Sequence, residues 1–455
     1  SSEGKEERRQ GMNKVLILGA GLVSKPICDY LLKHDNFEVT VASRTVAKAE
    51  VLVGGHERGH AIAFDITKTP EDLVGLIENC DIAVSLLPYI YHVQVANECI
   101  KQKKHLVTTS YVSAEMRALD EKAKEAGIII LNELGLDPGI DHMSAQQIID
   151  NVHEKEGKIV SFRSLCGGLP APEANDNPFG YKFSWSPSGV VRAGRNNAKY
   201  LEDGEIKEIP GKELFGAMYP FNVEGLGEHE AYPNRDSVPY QDIYHIEEAK
   251  TVFRGTLRNV GWCPTWYQFM QMNLPDETDR PELAGKSFAD YTRALTGLDA
   301  EDGDALKGAL AKKLGIETDH VAMKNMEWLG YFSNEKLPAG KTTGFDILVA
   351  RLEEKLAFKD KERDMIVLVH EFIAEFADGK KERIMSTMID YGIPGGDSAM
   401  SRTVSLPAAI GVRMICEDKI KIRGVHIPVA KNIYENILAE LETMDIVCKE
   451  TSEAL

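Results

Sequence analysis

The regular pattern of the chain begins at Val15-Leu16-Ile17-Leu18, four apolar residues in succession, and then turns small at Gly19-Ala20-Gly21. An unbroken apolar run of this kind suits a strand buried on both faces of a parallel sheet. Residues 25–32 continue with helical spacing, and Pro26 is compatible with the first turn of a helix. Further strand-like runs come at 36–43, 61–65, 81–87, 105–109 and 127–131, separated by helix-like segments such as 93–101 and 114–126. Strands and helices alternating over short links predict an α/β fold, a doubly wound parallel sheet of Rossmann type. Its ligands are expected at the carboxyl ends of the strands.

After Gly139 the rhythm changes. Asp141 is expected to cap a helix reaching about residue 153, and 159–166 reads as a strand leading into a Gly/Pro/Asn-rich stretch. Strands are expected at 181–185, 252–257, 364–375 and 382–390, helices from about 264 to 329, and a loop at 336–343. This pattern predicts a second, α+β domain. Helical spacing returns at 398–416, where Pro407 should kink the helix, and again at 432–444. The predicted division is 12–136 together with the returning helices 396–455, then 137–395, with 1–11 as a tag or disordered lead.

Composition adds exclusions. With 43% hydrophobic and 27% charged residues the chain reads as globular. A net charge of −18 disfavours nucleic acid or an anionic membrane as partner. No apolar run approaches the roughly 18 residues of a membrane span. The seven cysteines are scattered without a Cys-x-x-Cys spacing, which predicts reduced thiols, a cytoplasmic location and no metal site.

The candidate chemistry clusters just past the predicted strand ends. A strand, Gly-x-Gly and a helix form the phosphate-cradling start of a dinucleotide fold, although Ser24 occupies the place of the third glycine. About 20 residues on, where an acidic residue would accept the ribose hydroxyls of NAD, the chain offers Ser43-Arg44-Thr45. A guanidinium there suits a 2′-phosphate, so the predicted cofactor is NADP. Asp65 ends the third run, in a position to face the adenine. Pro88-Tyr89, Ser110-Tyr111 and Leu136-Asp137-Pro138 should converge on the cofactor's reactive half. Around Gly135 and Gly139 the ionisable groups Glu133, Asp137, Asp141 and His142 are concentrated. Asp137, extended before Pro138, either touches substrate or shapes the turn. His142 reads as a helix-start residue before it reads as a catalyst. Tyr111 would orient an amine or a carboxylate. Arg235 is either a carboxylate fork or the partner of Asp236 in a surface ion pair, with Lys182, Arg254 and Arg258 as weaker candidates of the same kind.

Longer motifs then point to a family. Leu-Gly-Leu-Asp-Pro-Gly-Ile-Asp-His at 134–142, Cys-Gly-Gly-Leu-Pro-Ala-Pro-Glu at 166–173, Tyr-Lys-Phe-Ser-Trp-Ser at 181–186, Tyr-Pro-Asn-Arg-Asp-Ser at 232–237 and Arg-Gly-Thr-Leu-Arg at 254–258 resemble the glutamate-forming saccharopine dehydrogenases, in particular the fungal, NADP-using type. The resemblance covers nearly the whole chain, although Ala20 is serine in some relatives and the segment 218–230 is less family-like. It implies that the cofactor lies against Gly19, Ala20, Gly21, Leu22 and Val23, against Ser43, Arg44 and Thr45, and against Asp65 and Ile66. Val84, Thr109, Ser110, Leu136, Asp137 and Pro138 would complete that surface. Saccharopine would meet Ser110, Tyr111, Asp137, Arg235 and the backbone of Gly255, Thr256 and Leu257, with Tyr111 and Asp137 as the catalytic pair. The implied reaction is reversible reduction of the imine between L-glutamate and L-α-aminoadipate 6-semialdehyde, in lysine metabolism, by a homodimer. A sibling imine reductase of the carboxynorspermidine type and a non-catalytic nucleotide-binding relative stay open.

Overall fold

Val15–Leu18 lies inside a seven-stranded sheet with each side chain at most 1% exposed. The computed structural model describes residues 11–455. Its strands β1 (Asn13–Leu18), β2 (Phe37–Ser43), β3 (Gly59–Ala63), β4 (Ile82–Ser85), β5 (His105–Thr108) and β6 (Ile129–Leu131) are all parallel. The segment Gly424–His426 adds a seventh strand beside β6, and the spatial order is 424–426, β6, β5, β4, β1, β2, β3. The chain thus runs outward in one direction from β1 and in the other from β4. That leaves the topological switch point, where such folds bind ligands, between the carboxyl ends of β1 and β4.

Residues group into two units, one holding the chain up to Glu154 together with Met388–Lys449, the other Lys155–Thr387 with Glu450–Leu455. In the first, α1 (Lys25–Leu32) has Pro within its first turn and buries Ile27, Leu31 and Leu32. Each such side chain contributes about 1.5–3 kcal/mol through burial. The long helix Ala399–Cys416, with Pro407 inside it, packs on α1, β4 and β5. Two further helices, α2 (His92–Gln102) and α3 (Ile140–Glu154), follow β4 and β6.

The second unit is built on a nine-stranded mixed sheet. Its centre is β7 (Lys158–Pro170), parallel to β9 (Thr251–Asn259) and antiparallel to β10 (Asp364–Glu375). Outside β9 lies β8 (Gly227–Pro233), which forms a hairpin with Tyr219–Val223, so the segment 218–230 is regular β structure. Helices Trp262–Gln271, Phe288–Thr296, Asp304–Leu314 and Val321–Trp328 occupy the expected helical region.

Four expectations change. No strand forms at 181–185. There the rings of Tyr181 and Phe183 pack edge-on, Tyr181 packs on Trp262, and the Phe183 N–H donates to the Leu356 carbonyl, so β-prone aromatics serve the core instead. The helix expected over 114–126 is two, Ala114–Arg117 and Asp120–Glu125, because Leu119 N–H bonds the Met116 carbonyl and tightens the turn. The third strand ends at Ala63, leaving Asp65 beyond it in a turn. Pairing with β10 carries β7 on to Pro170, through the stretch read as loop. Of the lead 1–11, only Gly11 is among the described residues.

The turn after β1 requires glycine. Gly19 has φ +111°, and a Cβ there would lie 3.1 Å from the Leu86 carbonyl oxygen. Gly19→Ala is expected to cost at least about 1–2 kcal/mol, read as a lower first melting transition together with weakened NADPH binding in a fluorescence titration. A variant that melts and binds like the parent would contradict this placement.

Candidate active site

The glycine-rich loop is held by the residue that replaces the third glycine. Buried Ser24 accepts from the Gly21 N–H and donates to the Gly19 carbonyl, both at 3.1 Å, while Gly19 N–H bonds the Ala42 carbonyl. A small hydroxyl therefore does by hydrogen bonding what a glycine does by close packing. Gly21 and Leu22 are left exposed before the N-terminus of α1, the kind of position that favours phosphate. At the end of β2, Ser43 is buried and accepts from the Thr45 N–H at 3.2 Å, and Arg44 and Thr45 face solvent. Asp65 accepts from the Thr67 hydroxyl and N–H at 2.6 and 3.0 Å, and these bonds hold its carboxyl below the ordinary range. Ile66 is buried beside it, and Val84 is enclosed within β4.

The loop leaving β6 is tied to the end of β5. Leu134 N–H donates to the Thr108 carbonyl and Glu133 N–H to that of Ser110, each at 3.1 Å. Within the loop, Gly135 N–H bonds the Pro138 carbonyl and Ile140 N–H returns to Gly135. Asp137 lies in the resulting turn, and the Asp137–Pro138 peptide is cis. Its Oδ1 accepts from the Tyr111 hydroxyl at 2.9 Å. Two residues that lie far apart in sequence and were selected separately thus meet as one hydrogen-bonded pair, both half-buried. Thr109, Ser110, Leu136 and Pro138 border it through the same bonds and turns.

Asp141 stands inside the first turn of α3, where its carboxylate accepts from the Gly139 and His142 N–H groups at 2.6 and 2.8 Å. It caps the helix start from within. His142 is fully buried, with Nε2 3.4 Å from Glu133 Oε1. Sequence reasoning missed His92, the first residue of α2. Its Nδ1 lies 2.9 Å from Ser85 Oγ and its Nε2 2.9 Å from Ser110 Oγ. Burial alone pulls its pKa down to about 4. The available signal was a histidine soon after the predicted strand 81–87, immediately before the helix predicted over 93–101.

In the second unit the register of β9 places Thr256 opposite Tyr232 and beside Cys166, and Gly255 opposite Pro233. Arg235 is exposed, has φ +56°, and offers its carbonyl to the Lys199 N–H at 2.8 Å. A left-handed conformation in a non-glycine residue marks a position worth attention for function. Arg235 lines a cavity of about 540 Å³ with Lys199, Glu208 and Asp236. Another cavity, of about 700 Å³ at Arg195, Lys212 and Asp276, holds none of the predicted site residues. The weaker basic candidates are engaged inside the fold. Lys182 pairs with Asp176 and Glu362, Arg254 donates to the Tyr240 hydroxyl, and Arg258 stacks on Tyr181 and Trp262. Among the described residues no group of three His, Cys, Asp or Glu side chains is arranged to hold a metal ion, and no helix is long and apolar enough to cross a membrane.

Comparison with known proteins matches residues 15–131 to the saccharopine dehydrogenase NADP binding domain and residues 135–446 to the saccharopine dehydrogenase C-terminal domain. The chain is 40% identical over 434 residues to saccharopine dehydrogenase [NADP(+), L-glutamate-forming] of Saccharomyces cerevisiae, covering 94% of this chain and 96% of that one. It is 39% identical to the alpha-aminoadipic semialdehyde synthase of Arabidopsis thaliana, covering 96% of this chain and 45% of that longer protein. The solved apo structure of the Saccharomyces cerevisiae saccharopine dehydrogenase (L-Glu forming) superposes with a TM-score of 0.90 at 38% identity, over 97% of this chain and 100% of the other. The turned Gly19–Ser24 loop and the exposed Arg44 fit the matched NADP binding domain. The chain belongs to the saccharopine dehydrogenase family.

Proposed function

We propose that this chain interconverts saccharopine with L-glutamate and L-α-aminoadipate 6-semialdehyde, using NADP(H). The observation that carries the reading is the Tyr111–Asp137 pair, half-buried at the exit of β5 and β6. When bound, NADPH supplies the hydride that reduces the imine carbon. The chain's own residues prepare that carbon. A carboxylate at Asp137 favours a positively charged nitrogen, and the Tyr111 hydroxyl donates to its Oδ1. Tyr111 in turn orients that carboxylate. Arg235, with its planar fork, and the N–H groups near Gly255, Thr256 and Leu257 would take substrate carboxylates. Holding the imine in one orientation can contribute several kcal/mol, within the roughly 7–11 kcal/mol attainable from positioning.

For the cofactor, Gly19 to Val23 would face the pyrophosphate, Ser43, Arg44 and Thr45 the 2′-phosphate, Asp65 and Ile66 the adenine, and Leu136 to Pro138 the nicotinamide. The assignment of 12–136 and 396–455 to cofactor and 137–395 to substrate and dimerisation belongs to the same proposal. In the same proposal the homodimer rests on the family resemblance, and the cytoplasmic location on the scattered cysteines.

NADPH oxidation in the presence of the semialdehyde is expected to require glutamate. Oxidation that proceeds equally without it, or with another amine in its place, would contradict the reading and favour a sibling imine reductase. Arg44→Asp should weaken NADPH and spare NADH. One charge-assisted bond is worth about 1.5–3 kcal/mol, about a tenfold to hundredfold change in affinity. Equal kinetics with both cofactors in the unmodified chain would count against this assignment.

Asp137→Asn keeps the size of the side chain and removes its charge. Saccharopine turnover should fall at least about thirtyfold, the lower end for truncating one partner of a hydrogen-bonded charge pair, with melting and NADPH titration near the parent's. Full turnover would remove Asp137 from the site. A lower melting point with weakened NADPH binding would leave it only a structural role.

A further inference from the structure

His92 sits with both ring nitrogens engaged and only 4% of its surface exposed. One partner, Ser85, ends β4 and is fully buried; the other, Ser110, lies two residues beyond the end of β5. The register pairs Ser85 with Thr108, so the imidazole spans the carboxyl ends of two adjacent strands. A ring whose pKa is pulled down to about 4 is neutral near neutral pH and carries one proton. The question is which nitrogen holds it.

The buried serine decides. A buried hydroxyl hydrogen without an acceptor is rarer and costlier than a lone pair without a donor. His92 Nδ1 is the side-chain partner of Ser85 Oγ, at 2.9 Å. Ser85 therefore donates to Nδ1, Nε2 carries the proton, and Nε2–H donates to Ser110 Oγ at 2.9 Å. Ser110 Oγ then acts as acceptor toward His92, and its own O–H is directed elsewhere. Ser110 is half-buried, next to Tyr111 and its bond to Asp137.

We infer that His92 is a positioning residue, whose Nε2–H fixes the Ser110 oxygen as an acceptor so that the Ser110 hydroxyl is presented as a donor to a substrate carboxylate. This rests on the proposed reading that Ser110 touches saccharopine. A serine free to rotate would split its hydrogen between the ring and the ligand; the Ser85–His92 arrangement removes that choice. No proton leaves the chain of three residues. The device sets direction, not acid–base chemistry.

The test is a double-mutant cycle on saccharopine kinetics, with NADPH titration and melting on every variant. Ser110→Ala should raise the saccharopine KM about tenfold, the worth of one hydrogen bond to a charged group, with NADPH affinity within about twofold. His92→Leu should cost a similar factor in the parent and add nothing in the Ser110→Ala background. His92→Gln, which can bring an amide N–H toward the Nε2 position, should recover most of the loss. Ser85→Ala frees the ring to change tautomer; it should raise KM severalfold in the parent and leave the Ser110→Ala variant unchanged, a second cycle that stands if His92→Leu fails to fold. Losses that multiply in the double variants would overturn the inference and leave the Ser110 reading intact. If Ser110→Ala left the saccharopine KM untouched, the substrate reading of Ser110 would fail, and the inference with it. A fall in NADPH affinity in place of the KM change would assign the hydroxyl to the cofactor and overturn the proposal.

Discussion

No side chain fits at position 139: a Cβ there would stand 2.0 Å from the Gly135 carbonyl oxygen, and the backbone has φ +149°. This backbone crossing closes the loop between β6 and α3. The Gly135 N–H bonds the Pro138 carbonyl and the Ile140 N–H bonds Gly135, so Asp137 is confined to the tip of a short, rigid turn. The turn is also sewn to β5 through Leu134 and Glu133, the latter itself at φ +58°. One constraint on the backbone therefore carries the Asp137 carboxylate to the Tyr111 hydroxyl. Asp141, accepting from the Gly139 N–H, locks the same crossing from the helix side.

Around that turn the parallel sheet supplies the other parts at the ends of its strands. The glycine turn follows β1, Arg44 follows β2, His92 and Ser110 follow β4 and β5. Their arrangement explains how an acidic chain can accept anionic ligands. Lys182, Arg254 and Arg258 spend their charge or their rings inside the second unit. Arg44 and Arg235 are exposed, and the backbone at Arg235 adopts a conformation that costs energy. In the proposed reading, local positive charge at these two positions, not net charge, is what the phosphate and the carboxylate meet.

Much of this was legible before any coordinates. The apolar run at β1 and the spacing of α1 follow directly from the sequence, and so do the bounds of β10, because each element buries one continuous pattern. The strand Gly424–His426 was not legible. Three residues, a glycine, a valine and a histidine, carry no periodicity, and only pairing with β6 makes them a strand. The outer strand Glu205–Ile209 was hidden in the same way, since three of its five residues are charged and it carries no continuous apolar run. Aromatic density at 181–185 misled, since Tyr181 packs into the core, with half-buried Phe183 against it, without joining a ladder. At the site, residue type and position after strand ends were enough to select Tyr111 and Asp137. His92 required the fold itself, because its two serine partners come from different strands.

The central claim is that hydride passes between saccharopine and the nicotinamide cofactor while Asp137 and Tyr111 hold the reacting amine. Saccharopine carrying two deuteriums on the methylene carbon that becomes the aldehyde carbon of the semialdehyde tests it directly, with the unmodified chain, NADP⁺ and water. The account predicts NADPH bearing one deuterium on the nicotinamide ring, with glutamate and the labelled semialdehyde as the other products. NADPH formed without label, or glutamate released with no reduction of NADP⁺, would contradict it.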